Sequence, residues 1–335
     1  MAICNFSRLA AAEQSLASLC IKHLETEYRY WYGGAVAQPC WAEQAQACAR
    51  LIAPLARRIL GEFHRCDSEY HDLEHTIQVV LVGAEILNGR LRCGETLTPE
   101  DWLSFMVALL CHDIGYIKGV CPNDDLSVQR FSCGPSDCLL TLSPQATGAS
   151  LTRCHVKRSQ QFVREVIGAE YPPKIYPWLK LDWIIYAIGQ TQFPVLPELF
   201  KQNTDLAARL VRAADLLGQL ADPSYLVKLP ALFREFEETG SNQAFGYSAP
   251  EDLRASFPNF YWKNVSVYVM QGIRYLEMSQ SGQAVLENLY NNRSRVEKEL
   301  NHLYGTKRRP TYRLRQWLQR WQPSLHQRSS TNVLI

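Results

Sequence analysis

The chain has 335 residues, 47% hydrophobic and 20% charged, with a net charge of +2, an ordinary composition for a soluble globular protein with one large core or two modest ones. So small a charge gives no general pull toward nucleic acid. The longest apolar stretches are about half of the ~20 residues a membrane span needs, and the start lacks the basic-then-apolar layout of a signal peptide.

In chain order the pattern is helical almost throughout. Residues 8–30 and 41–65 carry apolar positions three and four apart in an Ala-rich context, separated by Gly33, Gly34 and Pro39. Residues 71–88 read as an amphipathic helix with His75, Val79, Val82 and Ile86 near one face, and with His71 one turn before His75 on that face. Thr98-Pro99-Glu100-Asp101 is a helix start, with Thr98 as N-cap, Pro99 first and acids in the first turn. That helix should run to about Asp113, with Gly115 as a stop. Residues 117–150, with Pro122, Gly134, Pro135, Pro144 and Gly148, read as a long loop, and a loop of this length in a compact domain is usually functional. Helices resume near 152–168, 177–190, 204–221 and 224–239, followed by 257–278 and 281–304. No strand alternation or hairpin signal stands out, so the expected class is all-α. The segment 307–328 carries seven Lys/Arg and no acid, with Leu314, Trp317, Leu318 and Trp321 forming an apolar stripe. Such a stripe suits an anionic membrane surface, nucleic acid or a partner groove, but packing on its own domain is favoured.

The 11 cysteines contain no C-x-x-C pair and no zinc-ribbon spacing, and Cys20, Cys48 and Cys111 lie in apolar helical stretches. They read as reduced thiols in a cytoplasm. Cys133 and Cys138 are the one local disulfide candidate, and a free pair is the expectation.

Chemistry is signalled by histidines and aspartates set in apolar helices. These are Tyr70-His71-Asp72-Leu73-Glu74-His75, the pair His112-Asp113 ending the run from Phe105 to Cys111, and Asp215 after Ala213-Ala214. Asp is almost never fully buried unless paired or bound to metal. His and Asp are common ligands of divalent ions. Adjacent helical residues point about 100° apart, so His112 and Asp113 can serve one ion only where the helix ends or where the ion lies over the backbone. Thr152-Arg153-Cys154-His155-Val156-Lys157-Arg158-Ser159 reads as a basic helix start suited to phosphate, with His155, Lys157 and Arg158 as candidate contacts. Thr191, Gln192, Tyr225 and Lys228 lie near helix ends expected to face the site.

The order of these motifs resembles the HD-domain metal-dependent phosphohydrolases, over roughly residues 65–235. In that superfamily a His comes first, a His-Asp pair follows at a helix end, and a late Asp closes the metal site. The cyclic-nucleotide phosphodiesterase branch opens on Tyr-His-Asn with a second His four residues after the first, as His71 and His75 are spaced here. Arg212-Ala213-Ala214-Asp215-Leu216 is similar to the closing motif. The resemblance implies an HD-domain helical bundle with added N- and C-terminal helices. It divides into residues 1–64 packing on the core, 65–240 as the phosphohydrolase domain, 241–305 as its C-terminal helices and 306–335 as a basic tail. It implies His75, His112, Asp113 and Asp215 as metal ligands, Asp113 as a bridge between two ions, and His71 as the general acid. Two departures stand out: Asp72 replaces the usual Asn, and Tyr116 stands where that branch often has a second His.

The expected function is hydrolysis of a nucleotide-like or other organic phosphate ester through a metal-activated hydroxide. One or two ions are expected, without a choice among Mn, Mg, Fe, Co and Zn. One alternative is a diiron oxygenase on the same fold, although only His155 lies between His112 and His302. The other is a non-catalytic nucleotide- or metal-binding module.

Overall fold

The computed structural model describes residues 2–34, 37–134, 138–195 and 205–304. The apolar stripe at Leu314–Trp321 lies outside them. Among the described residues the protein is all-α apart from one small hairpin. Helix α1 (Ala2–Tyr32) packs on α2 (Ala42–Leu60), whose Leu51, Ile52, Leu55 and Ile59 form a buried stripe. The Tyr28 hydroxyl donates to the Ala45 carbonyl at 3.1 Å and the Tyr32 hydroxyl to the Leu97 carbonyl at 2.9 Å, which fastens α1 to the body.

The centre is built from α3 (Leu73–Arg92), α4 (Pro99–Cys111), α5 (His155–Phe162), α6 (Leu181–Gly189) and α7 (Leu206–Leu220). Helix α4 is buried along its whole length, including Trp102, Leu103, Phe105, Met106, Leu109 and Leu110. Each such large side chain contributes roughly 1.5–3 kcal/mol through burial. Helix α5 continues through a π turn at Val163–Ile167. Beyond the centre come α8 (Tyr225–Glu238), α9 (Ser241–Phe245), α10 (Pro250–Phe260), α11 (Ser266–Leu276) and α12 (Gln280–Tyr304). One apolar core runs from Cys20 in α1 to Val296 in α12, so both flanking regions belong to the same packed unit. Among the described residues no helix is long and apolar enough to cross a membrane.

Two expectations are corrected. The loop after α4 holds an antiparallel hairpin, β1 (Arg130–Ser132) with β2 (Leu139–Thr141). Three-residue strands are too short to show alternation, which is why no pattern announced them. Helix α3 starts at Leu73, not at His71, because Asp72 takes an extended backbone and its carboxylate accepts the His75 N–H at 2.9 Å. That N-cap gives Asp72 a structural task and leaves His71 outside the helix.

Candidate metal centre

The close approach of α3 and α7 brings His75 and Asp215 together. Gly218, three residues past Asp215, lies on Val79, four past His75; a Cβ at Gly218 would sit 2.7 Å from the Val79 Cα. Helix α4 ends at Cys111, so His112 is still helical while the Asp113 backbone turns away (φ −110°, ψ 6°). That break lets both side chains of the pair face one point. Gly115 follows in a 3-10 turn, and the space beside it is filled: a Cβ there would meet the His155 carbonyl oxygen at 1.9 Å. This contact seats the start of α5 against the His-Asp turn.

Nε2 of His75 lies 3.3 Å and Nε2 of His112 lies 3.2 Å from Asp113 Oδ2. The same two nitrogens lie 4.0 and 3.6 Å from Asp215 Oδ1. Ligand atoms about 2.0–2.2 Å from a shared ion stand roughly 3–4 Å from one another, so the spacing fits a coordination shell. The His112 Nδ1 donates to the Leu109 carbonyl at 2.7 Å, which makes Nε2 the ring nitrogen that faces the carboxylates and, in the neutral ring, the one with the lone pair. That Nε2 is fully buried and has no hydrogen-bond partner. An unsatisfied buried polar atom costs about 1–3 kcal/mol, and a cation between it and the two carboxylates removes the deficit. The donor set of two imidazoles and two carboxylates suits a divalent ion of borderline hardness.

Burial alone lowers the His112 imidazole, but Asp113 and Asp215 outweigh it and raise the ring to about 9. Burial pushes the Asp215 carboxyl up to about 6, against His112 and together with Asp113. Burial also lowers His75 despite its contact with Asp113. For Asp113 the burial penalty is overridden by His112, which holds the carboxyl well below its usual range.

The second oxygen of Asp113 faces the other way. Its Oδ1 lies 3.6 Å from His155 Nε2, and His155 Nδ1 donates to the Thr152 carbonyl at 2.7 Å. Asp113 thus presents one oxygen to His75 and His112 and the other to His155. Tyr116 is sandwiched between two imidazoles, its ring stacked on His71 at 4.4 Å and on His155 at 4.5 Å. It is an aromatic spacer between the two imidazoles.

His71 is held by Glu235, a residue sequence reasoning missed. The Nδ1 donates to Glu235 Oε2 at 2.5 Å, and the backbone N–H groups of Tyr70 and His71 donate to Oε1 at 2.7 and 3.2 Å. Burial alone lowers the imidazole, but the Glu235 carboxylate outweighs it and raises His71 to about 9. A signal existed: Glu235 continues the buried stripe Leu226, Leu229, Leu232 of α8, where an acid is out of place.

The other expected contacts separate. Arg158 is corrected from substrate ligand to internal bolt: it is fully buried, pairs with both oxygens of Asp124 at 2.8 and 2.9 Å, and donates to the carbonyls of Gly115, Ile117 and Ser132. Lys157 is exposed and its stem lies against Gly134. Thr191 donates its hydroxyl to the Ile188 carbonyl, and Gln192 donates to the Phe193 carbonyl. Tyr225 is buried with its ring edge-on to Phe257, and Lys228 bridges Asp222 at 2.7 Å and Glu74 at 3.0 Å. None of these contacts reaches the His-Asp cluster; His155 does. Arg158→Ala is expected to destabilise the fold by about 3–5 kcal/mol, the usual loss when one partner of a buried pair is removed. Urea unfolding measures this; unchanged stability with a raised KM would restore Arg158 to substrate binding.

No curated protein and no solved structure matches the chain. The Npun_R2479-like family model matches residues 10–299, and the chain belongs to that family.

Proposed function

We propose that the protein is a metal-dependent phosphoric ester hydrolase of the HD-domain kind, acting on a nucleotide-like or other organic phosphate. The observation that carries this reading is the convergence of His75, His112, Asp113 and Asp215 around the orphaned Nε2 of His112. These four side chains would hold one divalent ion, and Asp113 Oδ1 with His155 would contribute to a second. When bound, the ion supplies Lewis acidity toward a phosphoryl oxygen and lowers the pKa of a water.

The chain's own residues supply the rest. Glu235 accepts the hydrogen bond of His71 Nδ1 and favours the imidazolium, and among the described residues Nε2 has no hydrogen-bond partner, so it is free to give its proton to the leaving oxygen. The rings of His71 and His75 stand 5.5 Å apart, close enough for one substrate to meet both the ion and the acid. Tyr116 fixes the planes of His71 and His155 by stacking on each. His155 is the one further histidine paired with Asp113 among the described residues, which favours ester hydrolysis over an oxygenase with its larger histidine set. A cytoplasmic setting is part of this reading, from 11 cysteines that follow no disulfide or zinc-ribbon spacing in the sequence.

Metal analysis of the purified protein, then a screen of aryl phosphates, nucleotides and cyclic nucleotides with Mn, Mg, Fe and Co, tests the reading. One to two ions per chain and chelator-sensitive ester cleavage are expected. Full metal occupancy with no cleavage of any ester would make the chain a binding module instead.

A further inference from the structure

Away from the metal centre, three thiols gather at the hairpin. The register pairs Arg130 with Thr141, Phe131 with Leu140 and Ser132 with Leu139, so the next rung is Cys133 opposite Cys138. On that rung the Cys133 N–H donates to the Cys138 carbonyl at 2.7 Å. Residues facing each other on a hydrogen-bonded rung have Cα atoms about 5.5 Å apart. A disulfide needs about 4.4–6.8 Å. By alternation, Cys133 and Cys138 project on the face of Phe131 and Leu140. Phe131 belongs to a small apolar cluster with Leu151 and Cys154, separate from the main core, and Cys133, Leu140 and Leu142 pack against it. The Cys154 thiol is buried beside Cys133, and burial, helped by that contact, pushes it well up. Cys138 is exposed and Cys133 is half-buried. Among the described residues the one ligand trio tight enough for an ion is His75, His112 and Asp215, so the thiols are not a second metal site.

We propose that Cys133 and Cys138 are an oxidisable dithiol, closed into a disulfide by exchange with a small-molecule disulfide such as oxidised glutathione. The exposed Cys138 thiolate attacks one sulfur of the small disulfide and expels one thiolate. Cys133 then attacks Cys138 Sγ and expels the second. Two protein thiols are oxidised, one small disulfide is reduced to two thiols, and the two cysteine protons pass to the leaving thiolates. Cys154 stays reduced beneath the bond. The bond would close the hairpin next to Ser132, whose carbonyl accepts from Arg158 and whose N–H donates to Asp124. Arg158 also holds the Gly115 carbonyl beside Asp113, so the dithiol lies at the outer end of a bonded path to the metal turn.

The experiment treats the native full-length protein with oxidised glutathione, blocks remaining thiols, and maps peptides without reduction. Trypsin cuts after Arg130 and Arg153, so both cysteines fall in peptide 131–153, while Cys154 falls in 154–157. The expected result is peptide 131–153 lighter by two hydrogens, with the exposed Cys40 and Cys93 carrying added glutathione instead. Cys138→Ser is expected to lose the internal bond, and Cys154→Ser to keep it. Glutathione left on Cys138 with no internal bond, a link joining 131–153 to 154–157, or loss of the bond in Cys154→Ser would each overturn the proposal.

Discussion

Replacement of Asp113 by alanine is expected to remove metal retention and ester hydrolysis together. Its side chain is 6% exposed and touches three imidazoles, with Oδ2 toward His75 and His112 and Oδ1 toward His155. No other carboxylate among the described residues contacts all three. Losing an outer-shell partner already costs about 10–100-fold in metal affinity. Loss of a shared ligand should cost well beyond that. Asp113→Asn separates charge from shape, since it keeps the volume and one carbonyl oxygen while removing the anion. Without metal this variant should be less stable than the parent at neutral pH, because His112 holds the Asp113 carboxyl well below its usual range and a neutral amide forfeits that attraction. The measurement is thermal unfolding with and without Mn²⁺. The parent should gain stability as the ion binds the folded state, and the variant should show almost no gain. Metal content unchanged in Asp113→Ala would remove this residue from the coordination shell and with it the case for a shared carboxylate.

Local chemistry was legible where it was complete within a few residues. Thr98 caps α4 as its sequence predicts, accepting the Asp101 N–H at 3.2 Å, because the cap, the proline and the acids are all adjacent. His112, Asp113 and Asp215 stood out because polar residues inside apolar helices lack a packing reason, and the backbone brings those side chains within a few ångströms of one another. The expectations that failed depend on distant partners. Arg158 read as a phosphate contact because nothing near it in sequence is acidic; its partner Asp124 lies 34 residues away. Glu235 is 164 residues from His71, so no spacing rule links them. Asp72 departs from the pattern of the resembled phosphodiesterases, but its capping role depends on where α3 begins, and helix boundaries are the least readable feature of a sequence.

His71 provides the sharper test of mechanism. His71→Ala is expected to keep the fold and the metal, since the side chain is not part of the His75, His112, Asp113 and Asp215 cluster, and to lose rate by roughly 10²–10⁴-fold. The loss should depend on the leaving group. Nitrophenolate departs without a proton, so its ester should be nearly unaffected, while alkyl and ribose esters should show the full loss. Glu235→Gln should follow the same ordering with a smaller loss. The amide still accepts the Tyr70 and His71 N–H groups but no longer favours the imidazolium. A purely structural role for the pair predicts the same loss on every ester and a lower unfolding midpoint. Loss of metal in His71→Ala would make His71 a ligand and the centre richer in histidine, closer to the diiron oxygenases. Metal intact with equal loss on all leaving groups would mean that His71 positions the substrate. The proton donor would then be sought at His155, which reaches Asp113 from the far side of the Tyr116 ring.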